Sequence, residues 1–367
     1  MILWPIAWIF GLVAIVGVLL AAILAVVGLY MLLNRHYEKS SKSGRRGIVA
    51  VTIVLTVSIF VGSFVVIGNV WIWMSELGIV DEHLEYPVSE RWTVWNQFHP
   101  FGYNTRTVSA DFESDIIISD NFPSLDGATA FLPVYSAVAE TLFCGLDEYS
   151  VQQYVRLSTT RYAFARLMQG QTDIIFTLQP SQAQIEEAES IGVTFIKTPI
   201  FREAFVFFVN DANPVTSLTV EQIQQIYTGG ITNWLDVGGH DARIVAYQRN
   251  PNSGSQTTME QVVMDGLTMA APATELRQGD MGVMLRSVAQ YTNHRRALGY
   301  SFRFYATVMN PQDGLRMLAI DGIEPTPENI ANGSYPFTVN VYAITTAQGL
   351  ENPNTQTVID WLLSDQR

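Results

Sequence analysis

The chain has 367 residues, 48% of them hydrophobic and only 15% charged, with a formal net charge of −13. This length allows two lobes or domains with additions, and the acid excess argues against a nucleic-acid-binding surface. The single cysteine, Cys144, excludes an intrachain disulfide framework and a cysteine-based zinc site, and the five histidines (His36, His83, His99, His240, His294) fall at no metal-ligand spacing.

No charged residue occurs from Ile2 to Leu33, and a second uncharged run extends from Gly47 to Ser75. Each exceeds the ~20 residues that a helix needs to cross the hydrocarbon core. The first run lacks a basic segment before it and the second lacks a small-residue cleavage site, so both read as retained helices. Cys144 also lies too far along the chain to be a lipid-bearing cysteine behind a leader. Residues 34–46 between the runs carry five basic residues against one acid, which places that loop in the cytoplasm. Trp4, Trp8, Trp71 and Trp73 then mark the opposite, outer interface. Positions 76 onward keep 16 basic and 33 acidic residues, a net of −17, and read as an acidic body outside the cell.

Residues 76–113 are aromatic and polar without clear periodicity and read as a stalk or collar. Asp115–Asp120 has the pattern of a short strand, and Pro133 opens a helix with apolar positions at Val134, Ala137, Val138 and Leu142. Thr129 and Ala130 stand at the start of that helix, where Thr129 is either a cap or an anion contact. Tyr154–Leu157 reads as a strand followed by Ser158, Thr159 and Thr160 and a further helix. Thr172–Thr177, Val193–Ile196 and Ala204–Val209 read as strands, with a helix over Glu186–Ile191. Strands alternating with helices predict a largely parallel sheet covered on both faces. A second lobe begins near Asn210 with a capped helix from Ser217 to Gly229. Gly299–Phe302 reads as its last strand, Leu315–Ile320 and Phe337–Ile344 as strands returning to the first lobe, and 355–363 as the final helix.

The central stretch runs from Arg249 to Thr258. It follows a β-like run over Ala242–Gln248 and precedes a helical pattern over Met259–Met264. A strand, a hydroxyl-rich loop with Gly254, and a helix together suit an anion site, because the helix N-terminus offers unpaired N–H groups. Ser253 and Gln256 fit a capping box. Arg249 adds a fork of donors that suits a tetrahedral oxyanion. A capped helix beside an exposed arginine accounts for the same residues.

The soluble part resembles the phosphate-binding proteins, substrate-binding components of phosphate ABC transporters. The resemblance rests on Asp126-Gly127-Ala128-Thr129, on Ile226 through Trp234, on Arg249 with Ser253-Gly254-Ser255, and on Glu328 through Pro336, over about residues 97–365. It implies an α/β, two-lobed, type II periplasmic-binding-protein body, here behind an N-terminal two-helix transmembrane hairpin. The hairpin would occupy 1–75, the stalk or collar 76–113, lobe 1 114–209 with 310–367, and lobe 2 210–309. It further implies oxyanion contacts from the Thr129 hydroxyl, the Ala130 N–H, Thr160 (or Thr159, one step earlier), Arg249, Ser253, the Gly254 N–H and Ser255.

Two positions depart from the family pattern. Leu178 stands where relatives often carry the aspartate that accepts the proton of hydrogen phosphate, with Asp126 either replacing it or serving as a turn residue. Pro251 stands where an aspartate steadies the arginine. The expected function is capture of inorganic phosphate for an ABC permease and its ATPase, with no cofactor and no metal. The alternative is an oxyanion sensor or scaffold acting through a membrane partner. No metal cluster or Gly-x-Ser-x-Gly elbow points to an enzyme.

Overall fold

The computed structural model describes residues 88–103, 106, 115–272, 277–278, 281–290 and 294–364. The two apolar runs and their basic loop lie outside these residues. Among the described residues no helix is long and apolar enough to cross a membrane. The chain divides into two compact units, Met1–Glu85 and Tyr86–Arg367, and the second is described below.

Helix α1 (Val88–Phe98) occupies part of the predicted stalk. Its Val94 and Phe98 are buried in the main hydrophobic core, so this segment is an integral part of the body. Strand β1 (Leu125–Gly127) leads through a 3-10 turn (Thr129–Phe131) into α2 (Leu132–Leu142). Then come α3 (Thr159–Met168), β2 (Ile174–Thr177) and α4 (Gln182–Ser190). Strand β3 runs unbroken for 15 residues, Ile196–Asn210. After β4 (Ser217–Leu218), α5 (Val220–Thr228) opens with a complete capping box between Thr219 and Gln222. Two short strands, β5 (Val245–Ala246) and β6 (Gln248–Arg249), precede α6 (Gly254–Thr258), which continues as a π-helix over Met259–Val263.

The remainder comprises β7 (Arg277–Gln278), α7 (Met281–Gln290), β8 (Ala297–Phe302), β9 (Leu315–Met317), β10 (Ala319–Ile320), α8 (Pro327–Ala331), β11 (Thr338–Thr345) and α9 (Pro353–Ser364). The main sheet has seven strands in the order β1-β2-β11-β3-β8-β5, with β9 on β3. Strand β3 is its spine. Ile196–Ala204 pairs with β11, whereas Phe205–Asn210 pairs with β8 and β9. Its second half is buried along its length, and rings of Phe205, Phe207, Tyr227, Tyr300 and Phe337 meet there with centroids 5.2–6.2 Å apart. Such pairs each contribute about 0.5–1.5 kcal/mol beyond area burial.

Several expectations are corrected. The sheet is mixed: β1–β2 and β5–β8 are parallel, but β11 runs antiparallel to β2 and β3, and β3 runs antiparallel to β8 and β9. The reason is that β3 is one strand shared by both halves, and β11, β8 and β9 all pair with it running the opposite way. The segments read as strands at Asp115–Asp120 and Tyr154–Leu157 each make only an isolated bridge, Ile118 with Phe143 and Val155 with Leu125. Of the strand expected at 193–196 only Ile196 is in β3, which runs on through the one expected at 204–209, so a single long strand replaces the two.

Candidate functional site

At the C-terminal end of β1, Gly127 lies so close to β2 that a Cβ on it would fall 2.3 Å from the Phe176 carbonyl oxygen. The chain is held there by the Ala128 N–H, which donates to the same oxygen at 2.9 Å. Thr129 then begins the 3-10 turn, half-buried, with Ala130 buried behind it. The Thr129 hydroxyl caps neither that turn nor α2, whose N-cap positions are Ala128 and Phe131.

Asp126, fully buried, ties this turn to the next one. Its Oδ1 accepts the N–H groups of Gly127 and Ser158, each at 2.8 Å, and its Oδ2 accepts Arg166 Nε at 3.1 Å. Burial raises its carboxyl above the ordinary value, against the pull of the Ser158 and Gly127 bonds and the Arg166 charge. Its oxygens are thus committed to architecture. Ser158 precedes α3, where Thr159 has φ +69°, a strained conformation for a β-branched residue. Thr160, 6% exposed, comes next in the first turn.

The central stretch converges on the same place. Arg249 is 6% exposed, not the surface arginine of the blander reading. Its backbone N–H donates to Gln256 Oε1 at 2.9 Å and to the Tyr300 hydroxyl at 3.0 Å, and that hydroxyl donates to Gln256 Oε1 at 2.5 Å. Burial pushes the Tyr300 hydroxyl well above its ordinary pKa, so it stays a donor. Ser253 Oγ caps α6 by accepting the Gln256 N–H at 3.3 Å. The reciprocal half of the expected capping box is absent, because the Gln256 side chain turns to Arg249, Tyr300 and Glu260. Gly254 and Ser255 are both buried.

The two groups meet. A Cβ on Gly254 would lie 3.0 Å from Thr160 Oγ1, so it is Thr160, not Thr159, that the structure sets against α6. Ser181 Oγ donates to Asn252 Oδ1 at 2.8 Å, and Gln261 Nε2 donates to the Pro180 carbonyl at 3.0 Å. Leu178 is buried and apolar beside them. Sequence reasoning missed Tyr300, which lies far downstream in a strand with no local motif. It also misread Gln256 as a cap, and had no signal for Ser181 and Asn252. Among the described residues, no group of three or more His, Cys, Asp or Glu is placed to hold a metal ion.

A mixed α/β body with a polar junction between segments paired to the two halves of one long strand defines a periplasmic-binding-protein-like fold. Residues 124–366 match the family model described as PBP superfamily domain, and the chain belongs to that family. Among curated relatives, the phosphate-binding protein PstS of Bacillus subtilis is 25% identical over 215 residues, 58% of this chain and 66% of the relative. PstS of Staphylococcus saprophyticus is 24% identical over 249 residues, 66% of this chain and 75% of the relative. A crystal structure of a phosphate ABC transporter substrate-binding protein from Clostridium perfringens, with bound phosphate, shares 26% identity at a TM-score of 0.51. That match covers 66% of this chain and 93% of the other. The chain thus matches just under two-thirds of the length of the Bacillus relative.

Proposed function

We propose that the chain is a binding protein, not an enzyme, that captures inorganic phosphate at this junction and hands it to an ABC permease. The observation that carries the reading is Arg249, buried at the head of Ser253-Gly254-Ser255 with Gly254 against Thr160. A guanidinium and backbone N–H groups supply donors in the fork geometry that a tetrahedral oxyanion accepts. Thr129, Ala130 and Thr160 would bind from lobe 1 (114–209 with 310–367), and Arg249, Ser253, Gly254 and Ser255 from lobe 2 (210–309). Closure of the lobes would be the state that the permease reads. Local donors dominate at contact distance, while the body's net negative charge is screened over roughly 8–10 Å.

Calorimetric titration of the whole chain tests the reading. Wild type binds phosphate, and Arg249→Ala weakens binding by about a hundredfold or more, the scale of losing a charge-assisted pair. Equal binding by the two, or none by wild type, would sink it. The two apolar runs would hold the body at the membrane with 34–46 in the cytoplasm, raising its concentration near the permease. In intact cells, external protease should then digest residues 88–364 and spare 34–46; the reverse pattern would refute this topology.

A further inference from the structure

Two buried hydroxyls at this junction make no hydrogen bond within the protein. Thr177 closes β2 and is fully buried, Thr257 is 2% exposed in α6, and neither Oγ1 has a partner. Buried polar atoms are paired in the great majority of cases, so each exception calls for an account.

Their directions follow from the elements that carry them. Strand side chains alternate between faces. Phe176 meets Tyr135 of α2 with centroids 5.4 Å apart, whereas Ile175 packs with Ala163, Phe164 and Leu167 of α3. Thr177 therefore points to the α3 side, one step nearer the strand's C-terminal end. Ser158, just before α3, donates to Asp126, which is in register with Ile175, so the first turn of α3 and its Thr160 lie at that same end. From the other side, Gly254 faces Thr160 and Gln261 reaches the Pro180 carbonyl. Thr257 lies between these two on the helix, three residues after Gly254, and so shares the face turned toward residues 177–180. The two hydroxyls face one another's segments across the junction.

We propose that Thr177 and Thr257 are further ligand contacts, with Thr177 accepting the proton of bound hydrogen phosphate; this rests on the phosphate reading above. Hydrogen phosphate presents one O–H donor, and arginine and backbone N–H groups offer it nothing, since they only donate. The nearby carboxylate, Asp126, already accepts three donors, and Leu178 is apolar. A threonine hydroxyl has acceptor lone pairs as well as a donor. Thr177 can take the phosphate O–H while Thr257 donates to an unprotonated oxygen. Sulfate carries no proton at neutral pH and makes no use of the Thr177 acceptor.

The test titrates the whole chain at neutral pH with phosphate and with sulfate, comparing wild type, Thr177→Val, Thr177→Ser, Thr257→Val and Arg249→Ala, with thermal unfolding of each. Thr177→Val is expected to weaken phosphate about tenfold, the scale of one buried hydrogen bond, without weakening sulfate. Thr177→Ser restores phosphate affinity, and Thr257→Val weakens whichever anions wild type binds. Phosphate affinity unchanged in Thr177→Val, or equal loss of both anions, overturns the assignment. If Arg249→Ala alone loses binding, this assignment falls and the phosphate reading stands. If wild type binds neither anion, both fall.

Discussion

Asp126 and Glu203 are both buried carboxylates, and the structure gives them different work. Asp126 holds Gly127, Ser158 and Arg166 in place, so its oxygens are saturated before any ligand arrives. Glu203 sits where β3 passes from its β11-paired half to its β8-paired half. It is 8% exposed, accepts the Ala204 N–H at 2.7 Å, and is raised to about 7 by burial, against the pull of the Ala204 and Phe304 backbone and of Arg303. Its folded pKa lies above its unfolded value of 4.5, so the protonated form favours the fold. That contribution is fully present below pH 4.5 and is lost as pH rises through about 7. Glu203→Gln mimics the protonated state. Denaturant unfolding from pH 5 to pH 8 should show wild type losing about 2.5 kcal/mol relative to that variant. Parallel pH profiles would contradict it.

Among the elements, the helices and the site loops were the most legible in the sequence, because local chemistry specifies them. Thr219 with Gln222 forms a complete capping box at the start of α5. Pro133 falls in the first turn of α2. Ser253 caps α6, but Gln256 does not complete the box, since Tyr300 and Arg249 offer it a better set of partners. That competition is tertiary and invisible to a local pattern. The strands were harder to read. Tyr154–Leu157 has strand composition yet only Val155 makes a bridge, with Tyr154 and Arg156 on either side of it both bonded to the one residue Leu125 of β1. Pro199 breaks the apolar pattern of β3 but is tolerated within the strand, at the register shift between Val341 and Tyr342 of β11. The sequence leaves Thr160 one step ambiguous with Thr159, and only the approach of Gly254 distinguishes them.

At the scale of the whole molecule, one strand carries both pairing regions, and the candidate ligand residues sit at contacts between segments remote in sequence. Thr160 with Gly254, Ser181 with Asn252, and Pro180 with Gln261 make that junction a single surface. An anion held there would bind both sides at once and would stabilise the closed arrangement over an open one by its differential affinity. Hydrogen–deuterium exchange of the whole chain, with and without phosphate, tests this most directly, since it reports where binding slows backbone opening. Protection on phosphate addition should appear at 127–131, 158–161, 177–181 and 249–261, and nowhere else as strongly. Protection confined to one of these groups, or placed elsewhere in the body, would contradict a clamp built across the junction.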